Sequence, residues 1–179
     1  MERPARLVFV VVLLLGLVAL DQGSKEIAIR VLKGRPAIAF PPSWYPNDLF
    51  SFRFATNKGA FLSFGSGFPD WVLTWLNALI LAGVSLYVVL KRRMAAPVVV
   101  SLTLILAGGF GNLIDRLFRG GEVVDFMNMG IRIAGKALRT GIFNVADLAI
   151  VGGLLLLLAL ELFASKQDKG DRPGSGAST

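Results

Sequence analysis

Four aspartates and three asparagines stand out in this chain as carriers of chemistry: Asp21, Asp115, Asp125 and Asp147, with Asn57, Asn112 and Asn144. The sequence contains no histidine and no cysteine. Ser-His-Asp and Cys-His mechanisms, imidazole bases, thiolate nucleophiles and the usual zinc ligand sets are therefore excluded. Catalysis has to run on carboxylates, lysines, hydroxyls or amides. Two carboxylates held close cannot both ionise cheaply, so they share a proton and titrate as one unit. The ionised member can take a proton from water while the other donates to a carbonyl oxygen and then to a leaving amine. Such a pair hydrolyses a peptide bond without a metal.

Spacing adds to this. Asn112, Asp115 and Arg116 stand at i, i+3 and i+4, so a helix presents them on one face. Asn144 and Asp147 are three apart and would point the same way. Each has a plainer reading: Asp147 as a helix cap, Arg116 as a partner for Asp115 or Asp125. For any one residue the plainer reading comes first. For the whole set, gathered on one side of a membrane, the functional reading overtakes it.

The membrane itself follows from composition. Apolar residues make up 54% of the chain and charged residues only 17%, against about a quarter charged in soluble domains. The net charge of +7 comes from Lys and Arg lying between apolar runs rather than in a basic stripe, so membrane flanks explain it and nucleic acid does not. Four spans are predicted, at about 7–25, 71–90, 95–115 and 142–164, each near the 20 residues that a ~30 Å hydrocarbon core requires. The first apolar run, Leu7 to Leu20, is short enough for a signal-peptide core. It lacks a small-x-small cleavage site, and a helix continued through Asp21 and Lys25 toward Val31 is long enough to span.

With four spans both termini share a side. Arg3, Arg6, Lys91–Arg93, Lys166, Lys169 and Arg172 lie on it, dense near the span ends, which favours cytoplasmic termini. More basic residues lie opposite in total, but spread through the longer segments 26–69 and 116–141. On that outer side Leu49 to Phe54 alternates like a strand after the turn residues Pro41, Pro42, Pro46 and Asn47. Segment 124–142 reads as an amphipathic interfacial helix or a hairpin. Phe40, Trp44, Tyr45, Phe50, Phe52 and Phe54 suit a strand core and interfacial belt. The fold class expected is mainly α and membrane-embedded: four transmembrane helices, a small extracytoplasmic β-sheet and an extracytoplasmic loop or short amphipathic helix. One domain, 1–164, would be followed by a polar, disordered tail, 165–179.

Charges at membrane depth default to function, and Asp21, Asn57, Asn112, Asp115, Arg116, Asp125, Asn144 and Asp147 all map to the outer side. Glu161 falls near the other end. A proton-coupled transporter would need polar groups toward both faces, and the cytoplasmic half is almost purely aliphatic. A structural subunit using the acids only as helix ties is the remaining rival. Ser24 and Lys25 are adjacent and face apart, which disfavours a Ser-Lys dyad. Gly108-Gly109-Phe110-Gly111 has no following Lys-Ser/Thr, so close helix packing explains it better than a phosphate loop.

The polar residues fall in blocks: Asp21-Gln22-Gly23-Ser24-Lys25, Asn57-Lys58-Gly59-Ala60-Phe61, Gly108 through Arg116, Val124-Asp125-Phe126 and Phe143-Asn144-Val145-Ala146-Asp147. In order, they resemble the motifs of bacterial lipoprotein signal peptidase (signal peptidase II), over residues from about 7 to 164. The resemblance implies a four-helix inner-membrane peptidase that needs no cofactor or metal. It implies cleavage of diacylglyceryl-modified prolipoproteins just before the lipidated cysteine, at the periplasmic face. It assigns the catalytic pair to Asp125 and Asp147. Asn57, Asn112, Arg116 and Asn144 match positions that contact substrate or the inhibitor globomycin, and Asp21, Lys25 and Asp115 take supporting places. Membrane lipids are the other implied partners. One departure is visible: the family reads N-x-G-A-A-F where this chain has Phe61 and Leu62 after Ala60, which changes the local packing but not the match at Asn57.

Overall fold

The computed structural model describes residues 1–40, 49–59, 69–133 and 136–170. Four helices, α1 (Arg3–Leu32), α2 (Asp70–Leu90), α3 (Ala96–Phe118) and α4 (Val145–Gly170), each hold a stretch long and apolar enough to cross a membrane. Runs of Leu, Val and Ile leave the backbone no polar partner but itself, and the helix satisfies it internally. Proline opens α1 and α3, in the first turn where a missing N–H costs nothing.

The third helix is the centre of the bundle. More than half of its span is buried (56%), against 11–17% for the other three. The rest of those helices presents apolar side chains outward, as a lipid-facing surface requires. Helices α1, α2 and α4 all pack on α3, while α2 and α4 scarcely touch one another. The glycines of α3 set the spacing. A methyl group on Gly108 would run into the Ala146 carbonyl and Ile150 of α4, and one on Gly111 would lie 2.6 Å from the Asp21 carboxylate. Close packing is what these glycines provide, as their place inside an apolar span suggests.

At one end the N-terminal amine donates to the Met94 carbonyl (2.9 Å), and the fully buried Arg6 donates to the carbonyls of Lys91 and Arg92. These bonds tie the start of α1 to the α2–α3 turn and satisfy the carbonyls that end α2. At the other end lies a four-stranded antiparallel sheet of β1 (Ile38–Phe40), β2 (Phe50–Asn57), β3 (Val123–Ile133) and β4 (Lys136–Arg139), in that order. One face of the sheet packs on the last turns of α1, where Ala28 and Leu32 meet Phe126 and Met127, with Phe50, Phe52, Phe54 and Phe143 around them. Phe52 stacks on Phe126 with ring centres 6.4 Å apart. Trp44, Tyr45, the proline turns before β2 and the Phe61-Leu62 departure lie outside the described residues.

Several boundaries differ from the expected ones, each for a local reason. Helix α1 continues seven residues beyond 25, because its final turns bury Ala28 and Leu32 against the sheet. Helix α3 runs to Phe118, past Asp115, which it keeps in its last turn beside Arg119. Helix α4 begins at Val145 rather than 142, since Phe143 is engaged in a backbone bridge to Met127. It ends at Gly170 rather than 164, so the first residues of the expected tail are helical. Lys and Gln extend an existing helix at little cost. Residues 171–179 lie outside the described residues. Segment 124–142 is a hairpin, β3–β4, and not an amphipathic helix.

Candidate active site

The site is assembled where α1, α3 and the start of α4 meet the sheet. Two polar clusters form there, joined by Lys25 and Asn112. In the first, the Lys25 ammonium is fully buried and lies 2.8 Å from Asp21 Oδ2, 3.1 Å from Asp115 Oδ2 and 3.0 Å from Asn112 Oδ1. Asp21 and Asp115 are themselves essentially inaccessible. Charges so deep persist only when paired and hydrogen-bonded, and these are. Asp21 also accepts from the Ala146 N–H at 2.9 Å, and Asp115 from the Val124 N–H at 3.0 Å and from Arg119 at 3.3 Å. The Gln22 amide donates to Asp21, Asp115 and the Gly111 carbonyl, at 3.0–3.1 Å. Asp21 thereby anchors α1 to the beginning of α4, and Asp115 anchors α3 to the beginning of β3.

The second cluster contains two carboxylates, Asp125 and Asp147, and three carboxamides, Asn57, Asn112 and Asn144. Asn144 caps α4: its Oδ1 accepts the Asp147 N–H at 2.9 Å, while Asp147 Oδ2 accepts the Asn144 N–H at 3.2 Å. This reciprocal arrangement is a capping box with Asp in the third position. The Asn144 amide group donates to Asp125 Oδ1 (2.7 Å), Asn112 Oδ1 (3.2 Å) and the Val124 carbonyl (3.2 Å). Asn112 gives its own amide hydrogens to Asp147 Oδ1 at 2.9 Å. One fully buried asparagine therefore holds Asp125 and Asp147 around itself, one from the sheet and one from the helix.

Asp125 lies in β3 opposite Ala55, and Asn57, two residues further along β2, hydrogen-bonds its carboxyl. Burial pushes the Asp125 pKa up to about 7, and the Asp147 charge pushes the same way; the Asn57 and Asn144 amides and Lys25 oppose them. Asp147 lines a cleft of about 210 Å3 with Asn112, Arg116, Gly109 and Ile150 and with Leu73, Leu76, Asn77 and Ile80 of α2. Because α2 and α4 hardly meet, the cleft lies over α3 between them. The Arg116 guanidinium donates to the Gly59 carbonyl at 2.7 Å, and the Gly59 N–H bonds Asn57 Oδ1 at 2.9 Å, so Arg116 and Asn57 are coupled through one turn.

All nine residues singled out from the sequence thus converge, in two subsets. Asn57, Asn112, Asn144, Asp125 and Asp147 share the second cluster, with Arg116 beside it on the cleft wall. Asp21, Lys25 and Asp115 form the first. The one-face spacing of Asn112, Asp115 and Arg116 holds, yet Asp115 turns to α1 and Arg116 to the β2 turn. Asn144 is the cap of α4 rather than part of its face. Sequence reasoning passed over Gln22, Arg119 and Asn77 as site residues. Gln22 and Asn77 had a signal, being amides inside or at the end of apolar runs, whereas the ion pair of Arg119 with Asp115 depends on where α3 ends. Among the described residues no three acidic side chains converge to hold a metal; the position between Asp21 and Asp115 is taken by the Lys25 ammonium.

Charge balance suits a shared proton. Asp21, Asp115, Asp125 and Asp147 face Lys25, Arg116 and Arg119, so one protonated carboxyl leaves the cluster neutral. Such an arrangement can activate water with one carboxylate and donate a proton with the other.

Comparison with known proteins gives the family and the fold. A family model for signal peptidase (SPase) II matches residues 13–163. A lipoprotein signal peptidase of Mycolicibacterium smegmatis is 35% identical over 168 residues, covering 88% of this chain and 63% of that protein. One from Rhodococcus jostii is 38% identical over 140 residues, covering 74% and 64%, and one from Chlorobium phaeobacteroides is 33% identical over 147 residues, covering 79% and 82%. The chain thus spans a little under two thirds of the length of the first two relatives. In fold it is similar to two solved bacterial membrane enzyme structures. One superposes with a TM-score of 0.70 at 24% identity, over 95% of this chain and 94% of the other. The second gives 0.67 at 24% identity, over 86% and 92%.

Proposed function

We propose a function from one premise: the chain belongs to the signal peptidase II family. It is an aspartic endopeptidase that removes signal peptides from diacylglyceryl-modified prolipoproteins, cutting just before the lipidated cysteine. The observation that carries this reading is Asn144, whose amide donates to Asp125 while its oxygen caps the residue that completes the pair, Asp147. Asp125 keeps the shared proton near neutrality, and Asp147, with donors from Asn112 and the Asn144 backbone, takes a proton from water. The Asp125 proton goes to the scissile carbonyl oxygen and then, as the tetrahedral adduct collapses, the leaving amine is protonated from the pair. Arg116 on the cleft wall, with Asn57 coupled to it through the Gly59 turn, would hold substrate backbone. The apolar walls between α2 and α4 let the signal peptide and acyl chains stay in lipid while the peptide bond meets water.

The test is cleavage of a synthetic diacylglyceryl lipopeptide by the purified chain in the presence of chelator. Full cleavage is expected, with inhibition by globomycin and none by serine-directed reagents. Because the singly protonated pair is the working form and Asp125 holds its proton only below about 7, kcat/KM should fall as pH rises through that value. A rate that needs added zinc, or one that rises through pH 7, would sink the paired-carboxylate reading.

Orientation is proposed from the basic clusters at the Met1 and Lys91–Met94 end, which belong on the cytoplasmic side of the inner membrane. The sheet and the carboxylates then lie at the periplasmic face. Reporter fusions at Arg93 and after residue 179 should report cytoplasm, and fusions near Asn47 periplasm. The inverse pattern would put the carboxylates on the wrong side for this substrate.

A further inference from the structure

Asn77 is a polar side chain in the apolar run of α2, two turns in from its start, and neither the carboxylate pair nor the ion cluster uses it. An amide at that depth is costly unless its groups are bonded. Its NH2 donates to the Gly109 carbonyl at 3.3 Å, which fixes which end of the carboxamide is which. Its side-chain oxygen accepts no hydrogen bond from any described residue, and the side chain lines the same cleft as Asp147, Asn112 and Arg116. Around it the walls are Leu73, Leu76, Ile80 and Ile150, whose side chains offer no hydrogen-bond donor or acceptor.

A peptide entering that cleft has the matching problem. To present one bond to the carboxylates it must be unwound locally, and an unwound backbone in a low-dielectric cleft carries N–H groups with no acceptor. Gly109 precedes Asn112 by three residues, a little under one helical turn and about 4.5 Å along α3. Asn112 holds Asp147. A peptide covers that distance in one to two residues if extended and about three if helical. The acceptor on Asn77 therefore lies level with the residues just before the bond to be cut.

We propose that Asn77 is a substrate-binding residue, its side-chain carbonyl accepting a hydrogen bond from a backbone N–H of the signal peptide within the four residues preceding the scissile bond. This rests on the peptidase reading above. The bond is to backbone, so it grips the substrate without dictating side-chain identity. The competing role for Asn77 is a tie between α2 and α3 through Gly109, which would leave substrate chemistry indifferent to it.

The experiment separates the two with substrate analogues. Lipopeptides N-methylated singly at each of the four amides before the scissile bond are compared with the parent, on the unaltered chain and on Asn77→Leu. At one position N-methylation should raise KM by about tenfold on the unaltered chain, the size of one hydrogen bond in a dry site, with a smaller change in kcat. On Asn77→Leu, KM for the parent substrate should be raised by a similar factor, and N-methylation at that position should add nothing further. Asn77→Ala, which leaves room and introduces no bulk, gives the same comparison if the leucine variant fails to fold. Equal N-methylation penalties on both chains at every position would overturn the proposal and leave Asn77 as a helix tie. Failure of the unaltered chain to cut the parent lipopeptide would instead sink the peptidase reading itself.

Discussion

Asp125→Asn and Asp147→Asn should each reduce turnover of a lipidated substrate by at least about a thousandfold, and the two together should cost little more than either alone. General acid and general base are both required, and residues that work as a unit are strongly non-additive. Asparagine keeps the size and the hydrogen-bonding shape of each position but cannot exchange a proton. The folded protein should survive. At position 125 the change should help: the folded-state pKa is raised from 3.8 to about 7, so between those values the native chain binds a proton that the unfolded chain releases. Stability conferred by that proton is present at low pH and is lost as pH rises through the window. Asp125→Asn is free of that loss, and its melting temperature should gain on the parent progressively from about pH 4 to pH 7. At position 147 the asparagine must turn its oxygen to the Asn144 N–H or to Asn112, so a small loss is expected. Asp115→Asn is the contrast, because Asp115 is tied to Lys25, Arg119, Gln22 and Val124 rather than to the pair. It should lose stability, with partial loss of turnover. An inactive Asp115→Asn beside a near-normal Asp125→Asn, both folded, would mean that the wrong pair has been named.

Much of this site was legible because water and lipid sort residues so strongly. Asp21, Asn112, Asp115, Asn144 and Asp147 interrupt or border apolar runs, and once four spans are drawn they fall at one end with no further assumption. The packing role of Gly108 and Gly111 follows from small residues inside a span. What the spacing rule could not supply is direction. Asn112 and Asp115 share a helix face, but which neighbour each meets depends on how α1 crosses α3, and that crossing is set by the glycines and by Lys25 together. Lys25 had only a supporting place in the sequence, and its central one was out of reach for the same reason: beyond Asp21, four residues before it, its partners Asn112 and Asp115 lie some ninety residues after it. Segment 124–142 was ambiguous because Ile131, Ile133 and Leu138 with Arg132, Lys136 and Arg139 fit two periods over a short run. Pairing of β3 with β2 decides it, a long-range contact that no local pattern encodes. The starts and ends of helices moved where a backbone group found a tertiary partner, as at Phe143.

Lys25→Met should cost about 3–5 kcal/mol of stability, the range for removing one partner from a buried ion cluster. The ammonium is fully buried and stands within 3.1 Å of two carboxylates that are themselves inaccessible. Without it, Asp21 and Asp115 face each other across the α1–α3 contact. Asp115 retains Arg119 and the Val124 N–H, but Asp21 keeps only Gln22 and the Ala146 N–H and must take up a proton or break the packing. Adding Asp21→Asn to Lys25→Met should therefore restore more than half of the loss, since the amide oxygen can still accept from Ala146. Arg30→Met is the control from the same helix: its pair with Glu26 is exposed, and its removal should change stability by less than about 0.5 kcal/mol. Denaturant titration of the purified chain in mixed micelles measures all three. The consequence reaches the carboxylate pair as well, because Lys25 donates to Asn112 Oδ1 and so helps turn the Asn112 amide hydrogens toward Asp147. A folded fraction of Lys25→Met should then be slower by at least about tenfold, one lost hydrogen bond to a charged group being worth that much. If Lys25→Met were as stable as Arg30→Met, or if Asp21→Asn deepened its loss, the ammonium would not be the counter-charge that holds α1 to α3.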